Sequence, residues 1–143
     1  MYTALLHTHS TLRYLMLILL LATVTKALAG HFGNKAYTET DRKLGLYTLI
    51  TTHLQLLVGL TLYFVSPMIS GAMEDMGATM KNAELRFYVI EHLSVMLLGI
   101  IMITIGYSRV KRTTDVTKKS LRTAIFYGIG LLLVLLRMPY DRW

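Results

Sequence analysis

The chain has 143 residues, a formal net charge of +7, 54% hydrophobic residues and a mean hydropathy of +0.50. That apolar share, gathered into blocks, excludes an ordinary soluble domain. The lack of cysteine excludes thiolate haem ligation, iron–sulfur clusters, covalent c-type haem attachment and disulfides.

The first apolar block, about 3–28, contains the run Tyr14-Leu15-Met16-Leu17-Ile18-Leu19-Leu20-Leu21, which is apolar all round and reads as a membrane helix rather than a buried soluble one. Ala27-Leu28-Ala29 has the small-residue look of a signal cleavage site. However, no cationic segment precedes the run, the run is too long and Arg13 interrupts it, so the segment is expected to be retained as the first span. His31-Phe32-Gly33-Asn34 supplies turn residues, and His31 is expected in the loop, solvated. Thr38-Glu39-Thr40-Asp41 has the hydroxyl and carboxylate of a helix N-terminus. A second apolar helix over about 44–65 stops at Ser66-Pro67, because proline cannot extend the backbone ladder.

Residues 68–82 read as a loop with Met68, Met73, Met76 and Met80. Thioethers suit Cu(I), but these methionines keep no fixed register, and methionine is also an adaptable interfacial hydrophobe. A third helix over about 84–108 and a fourth over about 120–138 follow, the last closed by Pro139. The expected architecture is therefore all-α, a single transmembrane domain of residues 1–143 forming an up-down four-helix bundle in the lipid bilayer.

The cations orient it. Lys26, Lys35, Arg42, Lys43, Arg109, Lys111, Arg112, Lys118, Lys119 and Arg122 lie in or beside the first and third loops, ten of fifteen. By the positive-inside rule that side is cytoplasmic, which puts both termini outside. Basic cytoplasmic loops facing anionic lipid account for the net charge, and no nucleic-acid partner is implied.

Three spans carry histidines, namely His9, His53 and His92. An ionisable side chain inside a membrane needs a partner and marks a functional site by default. At ~1.5 Å of rise per residue, His9 lies ~9 Å and His92 ~8 Å to the outer side of the midplane, and His53 lies near the middle. His9 and His92 thus match in depth on helices one and three, which suits two axial imidazoles on a haem iron. His53 is an alternative axial ligand, an outer-shell donor or part of a proton or quinone path. His7 is expected at the interface. Arg13, four residues after His9 and on its face, wants an anion such as a haem propionate, or else pairs with Glu91 or with carbonyls. Glu91 points about 100° away from His92, towards a different neighbour. Gly99 and Gly106 leave a narrow stripe that admits either a flat cofactor or a close helix.

Four stretches carry a resemblance: His9-Ser10-Thr11-Leu12-Arg13-Tyr14, His53 through Pro67, Glu91-His92, and Ile103 through Lys111. Together they resemble the small four-helix membrane proteins of Bacteroidetes-type bacteria labelled "cytochrome b", over nearly the whole chain, and more distantly the bacterial b561 cytochromes. The resemblance implies an inner-membrane protein with haem b and carries the site onto His9, His53, His92 and Arg13. The fourth helix has no histidine, which argues against the two-haem arrangement of the b561 cytochromes.

The leading expectation is thus a b-type cytochrome-like protein or subunit that transfers electrons with quinol or a partner complex, alone as a homo-oligomer or beside other membrane subunits. No catalytic triad, spaced carboxylate pair or phosphate loop points to a stand-alone enzyme. The rival readings are a cofactor-free accessory or assembly subunit of a larger membrane complex, and a metal-binding membrane protein using the histidines and the outer methionines.

Overall fold

A computed structural model describes residues 1–141. It is all-helical, with no strand among the described residues. In chain order the elements are α1 (Tyr2–Phe32), α2 (Glu39–Val65), three short helices α3 (Pro67–Glu74), α4 (Met76–Lys81) and α5 (Ala83–Arg86), a π-helical turn (Phe87–Glu91), α6 (His92–Arg112) and α7 (Val116–Leu136). The short α5, the π turn and α6 run on as one helix, Ala83–Arg112. With α1, α2 and α7 it makes four helices long and apolar enough to cross a membrane. The chain is a multi-pass membrane protein.

The caps explain where the helices begin. Thr38 and Asp41 form a capping box, the Thr38 hydroxyl accepting from the Asp41 amide and the Asp41 carboxylate from the Thr38 amide, so α2 starts five residues before its apolar block. Asp115 caps α7 by accepting from the Thr117 amide at 3.0 Å. Residues 68–82, expected as a loop, are largely helical. Ser66, Asp75 and Asn82 each accept backbone amides at a helix start, and Pro67 sits in the first turn of α3. His31 is likewise in the last turn of α1 rather than in the loop, its ring 5.1 Å from that of Phe32. Asn34, at φ 49°, turns the chain out of α1.

Helix α1 packs on α2 and α7, and α6 packs on α7. The α2–α6 seam is thin, and α1 and α6 lie on the diagonal. In lipid the helices gain little from burying apolar surface, so close packing and hydrogen bonds hold them together. The interior is accordingly polar where helices touch: Thr23, Thr48 and Thr52 are buried, and the Thr23 and Thr48 hydroxyls meet at 2.7 Å across α1 and α2. Large apolar side chains such as Ile18, Leu57, Phe64 and Leu132 face outward, as lipid contact requires. Gly99 and Gly106 turn out to face α7. A Cβ on Gly106 would stand 2.4 Å from the Phe126 Cβ, and one on Gly130 would stand 2.6 Å from Ile103 Cγ1. Of the two readings of that stripe, the close helix is the one realised. Tyr127 completes the core beside Met16, Leu20 and Ile103, its hydroxyl donating to the Gly45 carbonyl at 2.8 Å.

Candidate functional site

The half of the bundle nearest the termini encloses a cavity of about 340 Å³, within the range of ligand sites. All four long helices line it. Its walls are mostly apolar, with Met16, Ile100 and Val134 towards the core and Met68 and Ile69 from the α2–α3 corner. Into it come His9, Ser10 and Arg13 from α1, Gln55, Gly59 and Tyr63 from α2, and His92 from the start of α6.

His9 and His92 face each other across the diagonal, ring centroids 6.4 Å apart and planes at 79°. The depth match read from the sequence places these two rings together. Each is held by a different neighbour. His92 Nδ1 lies 2.9 Å from the Arg137 carbonyl oxygen. A carbonyl only accepts, so Nδ1 carries the proton, and whenever the ring is neutral Nε2 keeps its lone pair. The His9 ring lies against Gly59, where a Cβ would stand 2.9 Å from its Cε1, so the missing side chain is what makes room for the imidazole. Gln55 donates its amide to the His9 carbonyl at 3.0 Å and reaches His9 Nε2 at 3.5 Å, the limit of a hydrogen bond. His9 Nδ1 and Gln55 Oε1 are buried with no hydrogen-bond partner among the described residues. Such atoms cost free energy unless something else in the cavity meets them.

A π turn lies directly before His92 and shifts the helix register there. The carbonyl of Val89 within it accepts from the Tyr63 hydroxyl at 3.0 Å, so a side chain of α2 satisfies a backbone group that the widened turn loosens.

Arg13 is 7% exposed. Its Nη1 donates to the Pro139 carbonyl at 3.3 Å and its Nη2 to the Tyr14 hydroxyl at 3.1 Å. Of the protein partners weighed for it, carbonyls are among those used. Glu91 turns elsewhere, to Arg86 at 3.0 Å and Arg137 at 3.4 Å.

His53 does not join the cavity. It sits exposed at the α2–α6 seam, its Nε2 3.0 Å from Thr104 Oγ1. The Thr104 hydroxyl proton already goes to the Ile100 carbonyl, so His53 Nε2–H donates and is committed there. A site built on all three histidines is therefore not assembled in this fold. The residue lies on a face of α2 turned away from the one that carries Gln55 and Gly59. His7 is exposed, as expected for an interfacial residue. Met73, Met76 and Met80 are exposed, while Met68 lines the cavity. Among the described residues no three His, Cys, Asp or Glu side chains form a group able to hold a metal ion.

Gln55, Gly59 and Tyr63 escape a reading that ranks residues by ionisable chemistry. Their signal was present as a four-residue spacing, which puts a polar, a small and a hydroxyl-bearing residue on one face of α2.

Compared with family models, with curated proteins and with solved structures, the chain matches none.

Two imidazoles are the ligand set that a haem would need, and among the described residues no third His, Cys, Asp or Glu joins them. Two imidazoles on one iron, each with a metal–nitrogen bond of ~2.0 Å, hold their ring centroids about 6 Å apart, and the rings here stand at 6.4 Å. His9 and His92 are the residues that would hold such a group, and the apolar cavity beside them would house it.

Proposed function

We propose that this protein is a b-type cytochrome-like subunit of a bacterial inner membrane, with haem b held between His9 and His92. The observation that carries this reading is the facing pair of imidazoles at 6.4 Å over a largely apolar cavity of about 340 Å³. The buried Nδ1 of His9 supports it, because that ring lacks a full set of protein partners. The resemblance to small membrane proteins labelled "cytochrome b" agrees with it.

When bound, haem b supplies a one-electron couple inside the membrane. The chain's own residues do the rest. Arg137 gives a carbonyl that holds the His92 ring with its Nε2 lone pair free. Gln55 and Gly59 fix the His9 ring from α2. Arg13 places a buried positive charge at the cavity wall, which raises the tendency of a nearby centre to accept an electron and suits an anionic group on a ligand. Leu56, Leu60, Met96 and Ile100 give the cavity its apolar wall. In this reading the electron partner is quinol or a neighbouring membrane subunit. Both termini face the periplasm in this reading, as the basic loops at the other end require.

The test is the visible spectrum of the purified protein. A low-spin b-type spectrum is expected when reduced. His9→Ala and His92→Ala should each lose haem or leave a five-coordinate iron, because non-covalent haem depends on both axial bonds. His53→Ala should keep the low-spin spectrum. A wild-type protein that takes up no haem would sink the proposal and leave a cofactor-free accessory subunit, with the histidines as hydrogen-bonding partners.

A further inference from the structure

The C-terminal end of α7 is where the site is tied together. A helix end leaves its last carbonyls without intrahelical donors. Here side chains meet carbonyls at and just beyond that end: His92 Nδ1 takes the Arg137 carbonyl at 2.9 Å, Arg13 Nη1 the Pro139 carbonyl at 3.3 Å and the Tyr140 hydroxyl the Leu135 carbonyl at 2.6 Å. Two residues of the cavity wall, His92 and Arg13, are thus anchored to one short stretch of backbone. That stretch is no longer helical at Arg137, where φ is −128° and ψ 23°, so helix geometry alone does not hold its carbonyl in place.

Glu91 does. Its carboxylate bridges Arg137 Nε at 3.4 Å and Arg86 Nε at 3.0 Å, and Arg86 in turn donates from Nη1 to the Met80 carbonyl at 2.8 Å. The bridge is partly shielded, with the Glu91 side chain 30% exposed. One carboxylate therefore joins the end of α4, the start of the third long helix and the end of α7. It does so from the residue next to His92, so the ring and the carbonyl that orients it are fixed to the same point of the helix.

We propose that Glu91 is the positioning residue of His92: by clamping Arg137 it holds the Arg137 carbonyl on the ring's Nδ1–H and so aims Nε2 into the cavity. The proposal rests on His92 serving as a ligand, but the orientation it describes exists without one.

The experiment therefore reads the ring first without haem. His92 is followed by nitrogen-15 NMR of histidine-labelled protein in lipid nanodiscs, with the other histidines assigned by substitution. Wild type should favour the Nδ1–H tautomer by roughly tenfold, about the worth of one hydrogen bond. Glu91→Gln should bring the two tautomers near parity, and Glu91→Asp should restore the preference. Arg137→Gln breaks the same clamp from an exposed side and is read in parallel, so that a poorly folding Glu91 variant leaves the question answerable. Haem is then titrated into the same samples. Glu91→Gln should weaken retention about tenfold, at the low end of what losing an outer-shell partner costs. An unchanged tautomer preference in both Glu91→Gln and Arg137→Gln would overturn the proposal, as would a wild-type ring without the Nδ1–H preference. A tautomer that responds to Glu91 in a protein that takes up no haem would uphold the clamp and reject the haem reading alone.

Discussion

Gly59 is the most sensitive position of the site to added bulk. A Cβ there would stand 2.9 Å from His9 Cε1 and 3.4 Å from His9 Nδ1. Ordinary contact begins near 3.4 Å, so Gly59→Ala forces the ring back by about half an ångström, and Gly59→Leu by more. The helices are held together beside this point by Gln55 of α2, whose amide donates to the His9 carbonyl of α1 at 3.0 Å. The ring must move instead, and its 6.4 Å spacing from the His92 ring changes with it. Overpacking of this kind costs ~1–3 kcal/mol. Taken out of cofactor binding, that is roughly a 5- to 150-fold loss of affinity, with Ala at the low end and Leu at or beyond the high end. The assay is haem titration of the apoprotein in nanodiscs, followed by the absorption maximum and spin state. Gly71→Ala is the control, since nothing lies within 4 Å of its added Cβ. If Gly59→Leu binds haem with wild-type affinity and a wild-type low-spin spectrum, the ring does not rest on Gly59 as described and the geometry of the His9 half of the site is wrong.

Away from the cavity, Gly106→Val should separate α6 from α7, because even its Cβ would fall 2.4 Å from the Phe126 Cβ; a loss of ~1–3 kcal/mol in detergent unfolding is expected, and unchanged stability would refute the close packing. In the first loop, burial is the main reason that the Tyr37 phenol is pushed up to about 12, with the Asp41 carboxylate acting in the same direction. The unfolded chain releases that proton first, near ~10, so stability should fall as the pH rises through this interval, and a Tyr37→Phe variant should show a shallower fall when melts are compared. Topology can be read cleanly because the chain has no cysteine of its own. Single cysteines placed at Lys35 and Tyr140 should be labelled from opposite sides, Tyr140 from the periplasm, and labelling of Tyr140 from the cytoplasm would reverse the proposed orientation.

The four long apolar helices were legible because lipid demands about twenty consecutive apolar residues, a signal that needs no tertiary information. Their ends were less legible. Helix α7 begins at Val116, four residues before the sequence estimate, and α6 runs on to Arg112, since helices continue through charged turns once they leave the apolar band. The short helices α3 and α4 were missed although Ser66 and Asp75 signalled their starts, because methionine and glycine content suggested a loop. Depth along a helix is linear in residue number, which is why His9 and His92 were matched from sequence.

Rotation about the helix axis and the choice of neighbours were decided only in three dimensions. The sequence placed His53 at a plausible depth, but its face of α2 meets Thr104 at the α2–α6 seam, outside the cavity. Glu91 turned to Arg86 and Arg137 rather than to Arg13, and the π turn before His92 has no marker in the residues that form it. The carbonyls of Arg137 and Pro139, which orient His92 and hold Arg13, belong to backbone and so carry no residue signature at all. Composition and periodicity determine which segments enter the membrane and at what height each polar group lies. Which of those groups meet depends on how four helices rotate and pack against one another, and that is settled by close contacts such as Gly59 with His9 and Gly106 with Phe126.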